Sequence, residues 1–250
     1  MISVRSIIKQ FKKPSGTIKV IDGVNLEINE GEFVTVFGPN GSGKTTLLNI
    51  IAGIEAPDSG EVTINNKKPE DAQVGFVFQN YNESLFPWRT VLENIVFPLE
   101  IAKVAKIKQD EIANHLLNKV GLLHSKNRFV YELSGGQRQL VSICRSIAHD
   151  PDILIMDEPF SALDYSTTRK MELELLDIWQ EKKITTLFVS HDIDEAIFLA
   201  DKVIILSHKP ATIKEIFDVK LPRPRTLDML SSPEFIELRN AILNIFEYEK

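Results

Sequence analysis

A glycine-rich octapeptide, GPNGSGKT, occupies residues 38–45 and lies between an apolar run and a helical run. It has the form G-x-x-x-x-G-K-[ST], whose glycines let successive backbone N–H groups curl around phosphates. The Lys44 ammonium can reach the β- and γ-phosphates, and the Thr45 hydroxyl can ligate Mg²⁺. The loop predicts a nucleoside triphosphate site but does not separate a GTPase, a kinase, a motor and a transporter ATPase. The residues expected to bind the nucleotide are Gly38, Pro39, Asn40, Gly41, Ser42, Gly43, Lys44, Thr45 and Thr46.

Two neighbouring acids, Asp157 and Glu158, follow the apolar run ILIM. An apolar strand that ends in an acid is typical of a Mg²⁺ site beside a phosphate loop, and we expect Asp157 to hold the metal through water. Glu158 is then placed to orient or deprotonate the attacking water. The alternative is a solvated acid pair at a strand end, which is common. The phosphate loop upstream favours the catalytic interpretation.

Two more polar residues follow apolar runs: Gln79 comes after VGFVF, and His191 comes after TTLFVS. In parallel sheets, ligands bind beyond the carboxyl ends of the strands. We therefore expect Gln79 and His191 to converge with Lys44 and Asp157 at one rim of the sheet. A lone His or Gln at a strand end is more often an ordinary surface residue, but four polar groups at one rim indicate a site.

The pentapeptide LSGGQ, residues 133–137, precedes an amphipathic run. Ser134 is expected to cap a helix that begins after the two glycines, with Leu140, Ile143 and Ile147 on its buried face. A helix N-terminus with exposed glycine backbone is a second anion site. Because the first loop already accommodates one nucleotide, this second site either binds another ligand or serves a nucleotide held by another copy of the chain.

The elements that must position these residues are short β-rich runs alternating with helical stretches, which predicts an α/β domain. Five nearly apolar runs suit strands that are buried on both faces of a parallel sheet. These runs are Phe33–Phe37, Val74–Phe78, Ile153–Met156, Thr185–Val189 and Val203–Leu206. Three earlier segments alternate in polarity and are expected to form antiparallel strands at one edge. They are Val4–Ile8, Ile18–Ile21 and Val24–Ile28.

The middle of the chain, from Leu92 to His149, has helical periodicity and no clear strand. Its apolar residues recur at a spacing that places them on one helix face. The residues that show this spacing are Ile112, Leu116, Leu117 and Val120. This block predicts a helical insertion between two parts of the α/β core.

The tail, from Lys209, starts with a proline-rich connection and is expected to end in a helix. Two starts are possible for this helix. Ser231 and Glu234 could form a capping box, or Ser232 could cap a helix whose first residue is Pro233.

The composition is that of an ordinary globular protein: 250 residues, 43% hydrophobic and 26% charged, with a net charge of −6. The net negative charge argues against a nucleic-acid partner. The single cysteine, Cys144, excludes an intrachain disulfide and is expected to be a small buried core residue. The N-terminus lacks the apolar region of a signal peptide, and no window approaches the roughly 18 apolar residues of a membrane span. Any membrane role is expected to be peripheral.

Taken in order, GPNGSGKT, Gln79, LSGGQ, ILIMDE, SALD and His191 resemble the motifs of the nucleotide-binding subunit of an ABC transporter. The resemblance covers residues 1 to about 210 and implies a P-loop NTPase (RecA-like) core with an antiparallel β edge and an inserted α-helical subdomain. It implies one ABC ATPase domain over residues 1–250. The core would comprise residues 1–84 and 150–208, the helical subdomain residues 85–149, and a C-terminal extension residues 209–250.

The resemblance implies that two copies of the chain close head-to-tail around two ATP molecules and Mg²⁺. The signature residues of one copy would then contact the γ-phosphate held by the other. These residues are Ser134, Gly135, Gly136 and Gln137. Gln79 would contact Mg²⁺ and the water, Asp164 would couple the two copies, and His191 would contact the γ-phosphate. Phe11 matches the position of the aromatic residue that stacks on adenine, although tyrosine is usual there.

The segment FQNYNESLFPWRTVLENI and the tail are similar to those of nitrate, taurine, aliphatic sulfonate and bicarbonate importers. That likeness implies membrane permease subunits, an extracytoplasmic solute-binding protein, and a location at the cytoplasmic face of the membrane. Importers of pyrimidine or thiamine precursors share these features and remain an alternative. A non-transport ABC ATPase and an inactive module are less favoured, because the chain has one ATPase domain and every catalytic position is filled.

One stretch, NYNESLFPWRT at residues 80–90, places Leu85, Phe86 and Trp88 in what resembles a surface loop. Such a cluster needs a partner or a local hydrophobic contact. Our hypothesis is that part of it lines a groove that receives a short permease helix. The alternative is a local cluster that closes the lobe.

Overall fold

A six-stranded sheet in the order β5-β6-β7-β3-β8-β9 forms the centre of the protein. The computed structural model describes residues 1–14, 16–80 and 84–247. All neighbouring strands of this sheet are parallel except β9, which pairs antiparallel with β8. The strands are β3 (Phe33–Phe37), β5 (Val74–Val77), β6 (Ile153–Asp157), β7 (Thr185–Ser190), β8 (Lys202–Leu206) and β9 (Ile213–Asp218).

The five parallel strands expected from the apolar runs are confirmed, with ends that differ by a residue. β5 ends at Val77 rather than Phe78, and β6 and β7 each extend by one residue. Strand β9 was not predicted, because the tail was interpreted as a connection followed by a helix. At the edge of the sheet most side chains of β9 are exposed or half-buried, so the strand has no apolar run to mark it.

The antiparallel strands form a separate three-stranded sheet in the order β2-β1-β4, and the antiparallel pairing expected from the sequence is confirmed. Its strands are β1 (Ile2–Lys13), β2 (Gly16–Ile28) and β4 (Ser59–Ile64). The two predicted segments Ile18–Ile21 and Val24–Ile28 belong to β2 alone, whose pairing with β1 shifts register between them. Strand β4 was missed because only Val62 and Ile64 are buried in it.

Seven α-helices lie within the described residues. They are α1 (Lys44–Ile51), α2 (Val91–Ile101), α3 (Lys106–Lys119), α4 (Gly135–Ile147), α5 (Tyr165–Lys182), α6 (Ile193–Leu199) and α7 (Pro233–Glu247). Helices α2, α3 and α4 follow one another between β5 and β6, with no named strand among the described residues there, which confirms the helical insertion. Leu116 and Leu117 are buried in α3, as the spacing predicts, and Cys144 is buried in α4. Burial raises the pKa of the Cys144 thiol to about 12, so it is an unreactive core residue.

The alternation of side chains along β3 separates two hydrophobic cores. Phe33 and Phe37 pack with the helices on one face of the sheet, whereas Val34 and Val36 pack with α1 and the antiparallel sheet on the other. A strand presents successive side chains to opposite faces, so a strand buried on both sides is apolar throughout. This explains why the central strands were readable as continuous apolar runs.

The tail is held against the core by two arginines and by α7. The Arg223 guanidinium pairs with Asp201, and Arg225 donates to the carbonyls of Phe198 and Ala200 at the end of α6.

Helix α7 begins at Pro233, and the Ser232 hydroxyl accepts the N–H of Phe235, so the second of the two helix starts is the one observed. The division of the chain into core, helical subdomain and extension stays a prediction.

In the part of the chain that the structure describes, no helix combines the length and the apolar character needed to cross a membrane.

Close packing of α4 on β5 depends on Gly75. A Cβ atom added to Gly75 would lie 2.4 Å from the carbonyl oxygen of Ser146 in α4. We expect Gly75→Ala to lower the free energy of unfolding by about 1–3 kcal/mol, because the backbone of α4 must move. Urea-induced unfolding followed by circular dichroism measures this loss.

Gly121→Ala serves as the control, because Gly121 has open space around it and only a left-handed backbone to maintain. Its expected loss is about 1 kcal/mol. Equal stability of Gly75→Ala and the unmodified chain would contradict the packing argument.

Candidate functional site

The phosphate loop connects β3 to α1 in the arrangement that the octapeptide predicts. Gly43 stands immediately before the helix with φ +110°, a backbone conformation that favours glycine. A Cβ atom there would lie 2.9 Å from Cγ1 of Val20, so the position excludes a side chain on steric grounds as well. The loop therefore approaches β2 closely and leaves its N–H groups at the N-terminus of α1.

Lys44 is folded back over this loop. Its side chain is buried, and Nζ donates to the carbonyls of Gly38 (3.0 Å) and Pro39 (3.1 Å). It also lies 3.7 Å from a carboxylate oxygen of Glu158. The buried hydroxyl of Ser42 has no hydrogen-bond partner among the described residues. An unpartnered buried hydroxyl beside a buried ammonium is suited to an anion with several acceptor oxygens.

A cavity of about 290 Å³ opens beside the loop, and both lysine and phenylalanine side chains line it. Phe11, from the far end of β1, is 37% exposed and lines it together with the phosphate loop. The structure thus brings Phe11 to a loop that begins 27 positions further along the chain, at Gly38. The full lining is Phe11, Val20, Asn40, Gly41, Gly43, Lys44, Thr45, Thr46, Glu158 and Lys209.

Lys209 in this lining was not identified from the sequence. It lies in the connection between β8 and β9, which is tied to β2 by two backbone hydrogen bonds. The N–H of Ala211 donates to the Val20 carbonyl (2.8 Å), and the N–H of Asp22 donates to the Ala211 carbonyl (2.9 Å). Nothing in the sequence marks Lys209, because only this pairing of distant segments brings a second ammonium to the cavity.

Asp157 ends β6, close enough to the Thr45 hydroxyl for the hydroxyl to lower the pKa of its carboxyl. Burial raises the pKa of the Asp157 carboxyl, while the Thr45 hydroxyl and the Lys44 charge oppose this rise. Among the described residues, no group of three or more His, Cys, Asp or Glu side chains could hold a metal. One carboxylate and one hydroxyl instead suit Mg²⁺, which commonly takes few protein ligands and completes its shell with water and phosphate oxygens.

Glu158 follows β6 with its backbone in the left-handed region, at φ +43°. A residue with a side chain is strained there, and such strain tends to occur at functional sites. Three hydrogen bonds hold the conformation. The Glu158 N–H donates to the Val189 carbonyl (3.1 Å), and the N–H and hydroxyl of Ser161 donate to the Glu158 carbonyl (3.2 and 3.0 Å).

The strained backbone places the Glu158 carboxylate between the side chains of Lys44 and His191. One oxygen lies 3.7 Å from Lys44 Nζ, and the other lies 2.9 Å from His191 Nδ1. His191 follows β7 and is half-exposed, whereas Glu158 is mostly covered. The structure thus brings together three of the side chains singled out in the sequence.

Gln79 lies two residues beyond the end of β5, the edge strand beside β6. Its side chain is exposed and forms no hydrogen bond or ion pair with another described residue. The expected convergence of Gln79 with Lys44, Asp157 and His191 at one rim of the sheet stays a prediction.

The LSGGQ segment forms the N-terminus of α4. Ser134 and Gln137 form a reciprocal capping box, and the helix begins at Gly135 rather than after both glycines. A Cβ atom on Gly136 would lie 3.0 Å from Thr167 in α5, so the glycine permits the two helices to approach. Within the described residues, none of the LSGGQ side chains lines the cavity beside the phosphate loop.

Asp164 caps the next helix, α5. Its carboxylate accepts hydrogen bonds from the Thr167 N–H (3.1 Å) and from the hydroxyls of Thr167 and Ser166 (2.7 Å each). These bonds hold the pKa of the Asp164 carboxyl far below its usual value. Asp164 is exposed and lies beside the N-terminus of α4, because Thr167 packs against Gly136.

The three residues Leu85, Phe86 and Trp88 have different environments, and residues 81–83 of the same stretch lie outside the described residues. Leu85 is buried in the core, whereas Trp88 is 70% exposed. The ring of Phe86 lies 5.5 Å from the Trp88 ring and 4.7 Å from the Phe97 ring, measured between centroids. Phe86 and Phe97 line a cavity of about 340 Å³ between β5, α2 and α4.

The chain is similar to known proteins in family, in sequence and in structure. The family model described as ABC transporter matches residues 21–161. An uncharacterized ABC transporter ATP-binding protein of Methanocaldococcus jannaschii is 46% identical over 250 residues, which cover 99% of this chain and 92% of that protein. An aliphatic sulfonates import ATP-binding protein of Bacillus cereus is 41% identical, with coverages of 99% and 96%.

A solved structure is similar at the level of the fold and of the sequence. A bacterial ABC transporter cassette, solved as a dimer, has a TM-score of 0.77 and 34% identity over 89% of this chain and 100% of that chain. The same cassette has been solved in a dimeric post-hydrolysis state bound to ADP and Pi. The α/β fold expected from the sequence is confirmed by this similarity.

The position of Phe11 predicts that it binds a nucleotide base. We expect Phe11→Ala to raise the Kd for a fluorescent ATP analogue about tenfold, because base–aromatic stacking contributes roughly 1–3 kcal/mol. Phe11→Tyr should retain the affinity, since the ring is preserved. Fluorescence titration of the purified chain measures both values.

The matched control is Phe129→Ala, because Phe129 is 38% exposed and lies outside this cavity. Its affinity for the analogue should equal that of the unmodified chain. If Phe11→Ala also bound the analogue normally, the base would lie elsewhere.

Proposed function

The chain belongs to the ABC transporter family as an ATP-binding subunit with ATPase activity, and on that premise we propose that it drives the import of a small solute through separate permease subunits. The observation that carries the importer assignment is the similarity to an aliphatic sulfonates import protein, which extends over 99% of this chain and so includes the tail. Aliphatic sulfonates, taurine, nitrate and bicarbonate are the proposed solutes. A pyrimidine or thiamine precursor is the alternative within the same kind of importer.

Nucleotide binding is proposed to use the N-terminus of α1 and both ends of the adjoining cavity. The loop amides and the Lys44 ammonium hold the β- and γ-phosphates, which replace the loop carbonyls as acceptors for Lys44. Phe11 provides a flat apolar face for adenine at the other end. Lys209 adds a second positive charge to the cavity lining, which suits the negatively charged phosphates of the nucleotide.

Mg²⁺ is proposed to be held by Thr45 and Asp157, with Gln79 as a further ligand. The pairing of the Thr45 hydroxyl, at the start of α1, with the Asp157 carboxylate, at the end of β6, supports this assignment, since both supply oxygen ligands. When bound, the ion neutralises charge on the β- and γ-phosphates. Gln79 is exposed just beyond the end of β5, the strand beside β6, and its amide oxygen is the ligand atom that it would offer.

Hydrolysis is proposed to use Glu158 as the base that orients water and accepts its proton. Hydrogen bonds fix its backbone, and Lys44 and His191 contact its carboxylate, so little orientation remains to be achieved during the reaction. His191 shares a hydrogen bond with this carboxylate and is placed to donate to the γ-phosphate from its other nitrogen. Lys44 balances the negative charge of the same group at 3.7 Å.

A second copy of the chain is proposed to complete the site. The LSGGQ residues lie at the N-terminus of α4, a position suited to anions, yet they do not line the cavity of their own chain within the described residues. Ser134, Gly135, Gly136 and Gln137 therefore serve the γ-phosphate of the partner copy. Asp164 couples the two copies, since α5, which it caps, packs against Gly136. The dimeric cassette supports this arrangement.

Permease subunits are proposed to dock on the face between β5 and the inserted helices, at the cytoplasmic side of the membrane. Two adjoining cavities of about 340 and 490 Å³ share Pro98, Ile101 and His149 there. Their predominantly apolar lining and the exposed ring of Trp88 beside Phe86 suit the apolar face of a short helix. An extracytoplasmic solute-binding protein would join the complex through the permease.

Replacement of the proposed base tests the chemistry. Glu158→Gln should bind ATP and reduce the hydrolysis rate at least 100-fold, because general-base catalysis contributes roughly 10²–10⁴-fold. The ATP-bound variant should accumulate as a dimer, which light scattering would detect. Phosphate release by Glu215→Gln, an exposed acid on β9, should match the unmodified chain. Hydrolysis by Glu158→Gln at the unmodified rate would rule out its role.

The docking face is tested by Trp88→Ala. We expect it to weaken binding to the co-expressed permease about tenfold or more while leaving the ATPase rate of the isolated chain unchanged. Ile107→Ala is the control, because Ile107 is 74% exposed on α3 and lies outside both cavities. Permease binding that is unaffected by Trp88→Ala would leave Trp88 as part of a local hydrophobic cluster only.

A further inference from the structure

A cluster of buried ionisable side chains lies directly behind the turn that carries His191. Arg169 and Glu172 belong to α5, and Glu195 belongs to α6; all three are buried. A cavity of about 230 Å³ separates this cluster from the proposed catalytic groups, and Arg169 and Glu195 line it together with Glu158 and His191. None of the motifs found in the sequence includes a member of this cluster.

The hydroxyl of Ser190, the last residue of β7, is the link between this cluster and His191. Ser190 Oγ accepts the N–H of Asp192 (2.9 Å), lies 3.0 Å from the Asp192 carbonyl oxygen, and contacts a carboxyl oxygen of Glu195. His191 stands between the two residues that these bonds join. The orientation of its imidazole therefore depends on the hydrogen bonds around Ser190 Oγ.

The protonation state of Glu195 follows from the hydrogen bonds that Ser190 Oγ forms. A serine hydroxyl has a single proton, so it can donate to the Asp192 carbonyl or to Glu195 but not to both. Both contacts are satisfied only if the Glu195 carboxyl carries a proton and donates it to Ser190 Oγ. The hydroxyl then donates to the Asp192 carbonyl and accepts from Glu195 and from the Asp192 N–H.

The acidic neighbours of Glu195 favour its protonated form, and the nearby Arg169 charge opposes it. On α5, the Arg169 guanidinium is engaged by the Glu172 carboxylate, with which it forms hydrogen bonds of 2.8 and 3.0 Å. The acids Asp192 and Asp194 lie at the start of α6. Arg239 of α7 lies 3.6 Å from Asp194 rather than beside Glu195.

Burial is the main cause that raises the pKa of Glu195, to about 8. The hydrogen bond with Ser190 and the Arg169 charge oppose this rise, and the charges of Glu172 and Asp192 add to it. Burial likewise raises the pKa of Glu172, to about 7, although Arg169 opposes that rise. Glu158 and His191 face the cluster from across the cavity.

We propose that Glu195 is a positioning residue for ATP hydrolysis: its neutral carboxyl donates a hydrogen bond to Ser190 and thereby holds His191 against Glu158. The inference rests on the proposed roles of Glu158 and His191. Ionisation of Glu195 removes the donated proton, so Ser190 must turn its own proton to the carboxylate and release the Asp192 carbonyl. The turn at His191 then loosens, and the hydrolysis step slows while ATP binding is preserved.

The pH dependence of hydrolysis follows from this arrangement. Glu195 is protonated below about pH 8 and ionised above it, so activity that depends on the proton is present at pH 7 and lost as pH rises. At pH 9 about a tenth of the molecules retain the proton. The kcat of the unmodified chain should therefore fall by up to about tenfold between pH 7 and 9, with little change in the KM for ATP.

Glu195→Gln provides the decisive comparison, because its amide donates to Ser190 at every pH and has nearly the same shape. Its kcat should be close to the unmodified value at pH 7 and should not share the fall above pH 8. Glu195→Leu removes the donor and should lower kcat at least fivefold at pH 7, with an unchanged Kd for a fluorescent ATP analogue. Glu174→Gln, a partly covered acid elsewhere on α5, should keep the unmodified pH profile.

A parallel decline of Glu195→Gln and the unmodified chain between pH 7 and 9 would overturn the proposal, and this test needs only the near-isosteric variant to fold. His191→Ala separates this failure from failure of the proposed hydrolysis mechanism. If His191→Ala hydrolysed ATP at the unmodified rate, the catalytic role of His191 itself would be wrong. If His191→Ala were slow while Glu195→Leu was normal, only the positioning role of Glu195 would be lost.

Discussion

The parallel pairing of β6, β7 and β3 is the constraint on which the rest of the site depends. Phe37 pairs with Ser190, and Asp157 pairs with Val189, so the three strands end at the same level. The phosphate loop, Glu158 and His191 each begin where one of these strands stops. A slip of one residue in this register would turn every side chain of a strand to the opposite face, exchanging its contribution to the two cores. The hydrophobic cores thereby maintain the alignment of the catalytic groups, although no core residue touches a substrate.

The site combines a strained backbone with neighbouring groups that limit the cost of that strain. Glu158 adopts a left-handed conformation, and bonds to Val189 and Ser161 offset part of the energetic penalty. A residue held in this way keeps its carboxylate oriented without losing side-chain freedom at the moment of reaction. The same principle extends to His191, whose turn is fastened through Ser190 to a buried carboxyl. Hydrogen bonds from atoms that do not take part in the reaction thus orient both residues.

The sequence patterns identified the strands that are completely buried and missed strands that are partly exposed. Strands β3, β6 and β7 were found because residues buried on both faces form an uninterrupted apolar run. Strands β4 and β9 were missed because each exposes much of its length, so its existence depends on hydrogen bonds to a neighbour rather than on composition. Gln79 follows strand β5, as the sequence pattern indicated. Lys209 was missed because a loop with no pattern of its own is drawn to the cavity by pairing with β2.

The sequence by itself determined the chemistry: a phosphate loop, an acid pair and a glycine-rich helix start are local motifs whose spacing is sufficient to identify them. It also determined the α/β class, because hydrophobic periodicity is a local property. Only the tertiary structure decided which distant residues act together. The approach of Phe11 to the phosphate loop, the contact between Glu158 and His191, and the burial of Glu195 behind Ser190 join segments far apart in the chain. The physical reason is that burial, strand pairing and the protonation of a buried carboxyl depend on which surfaces meet, and that information is spread over the whole chain.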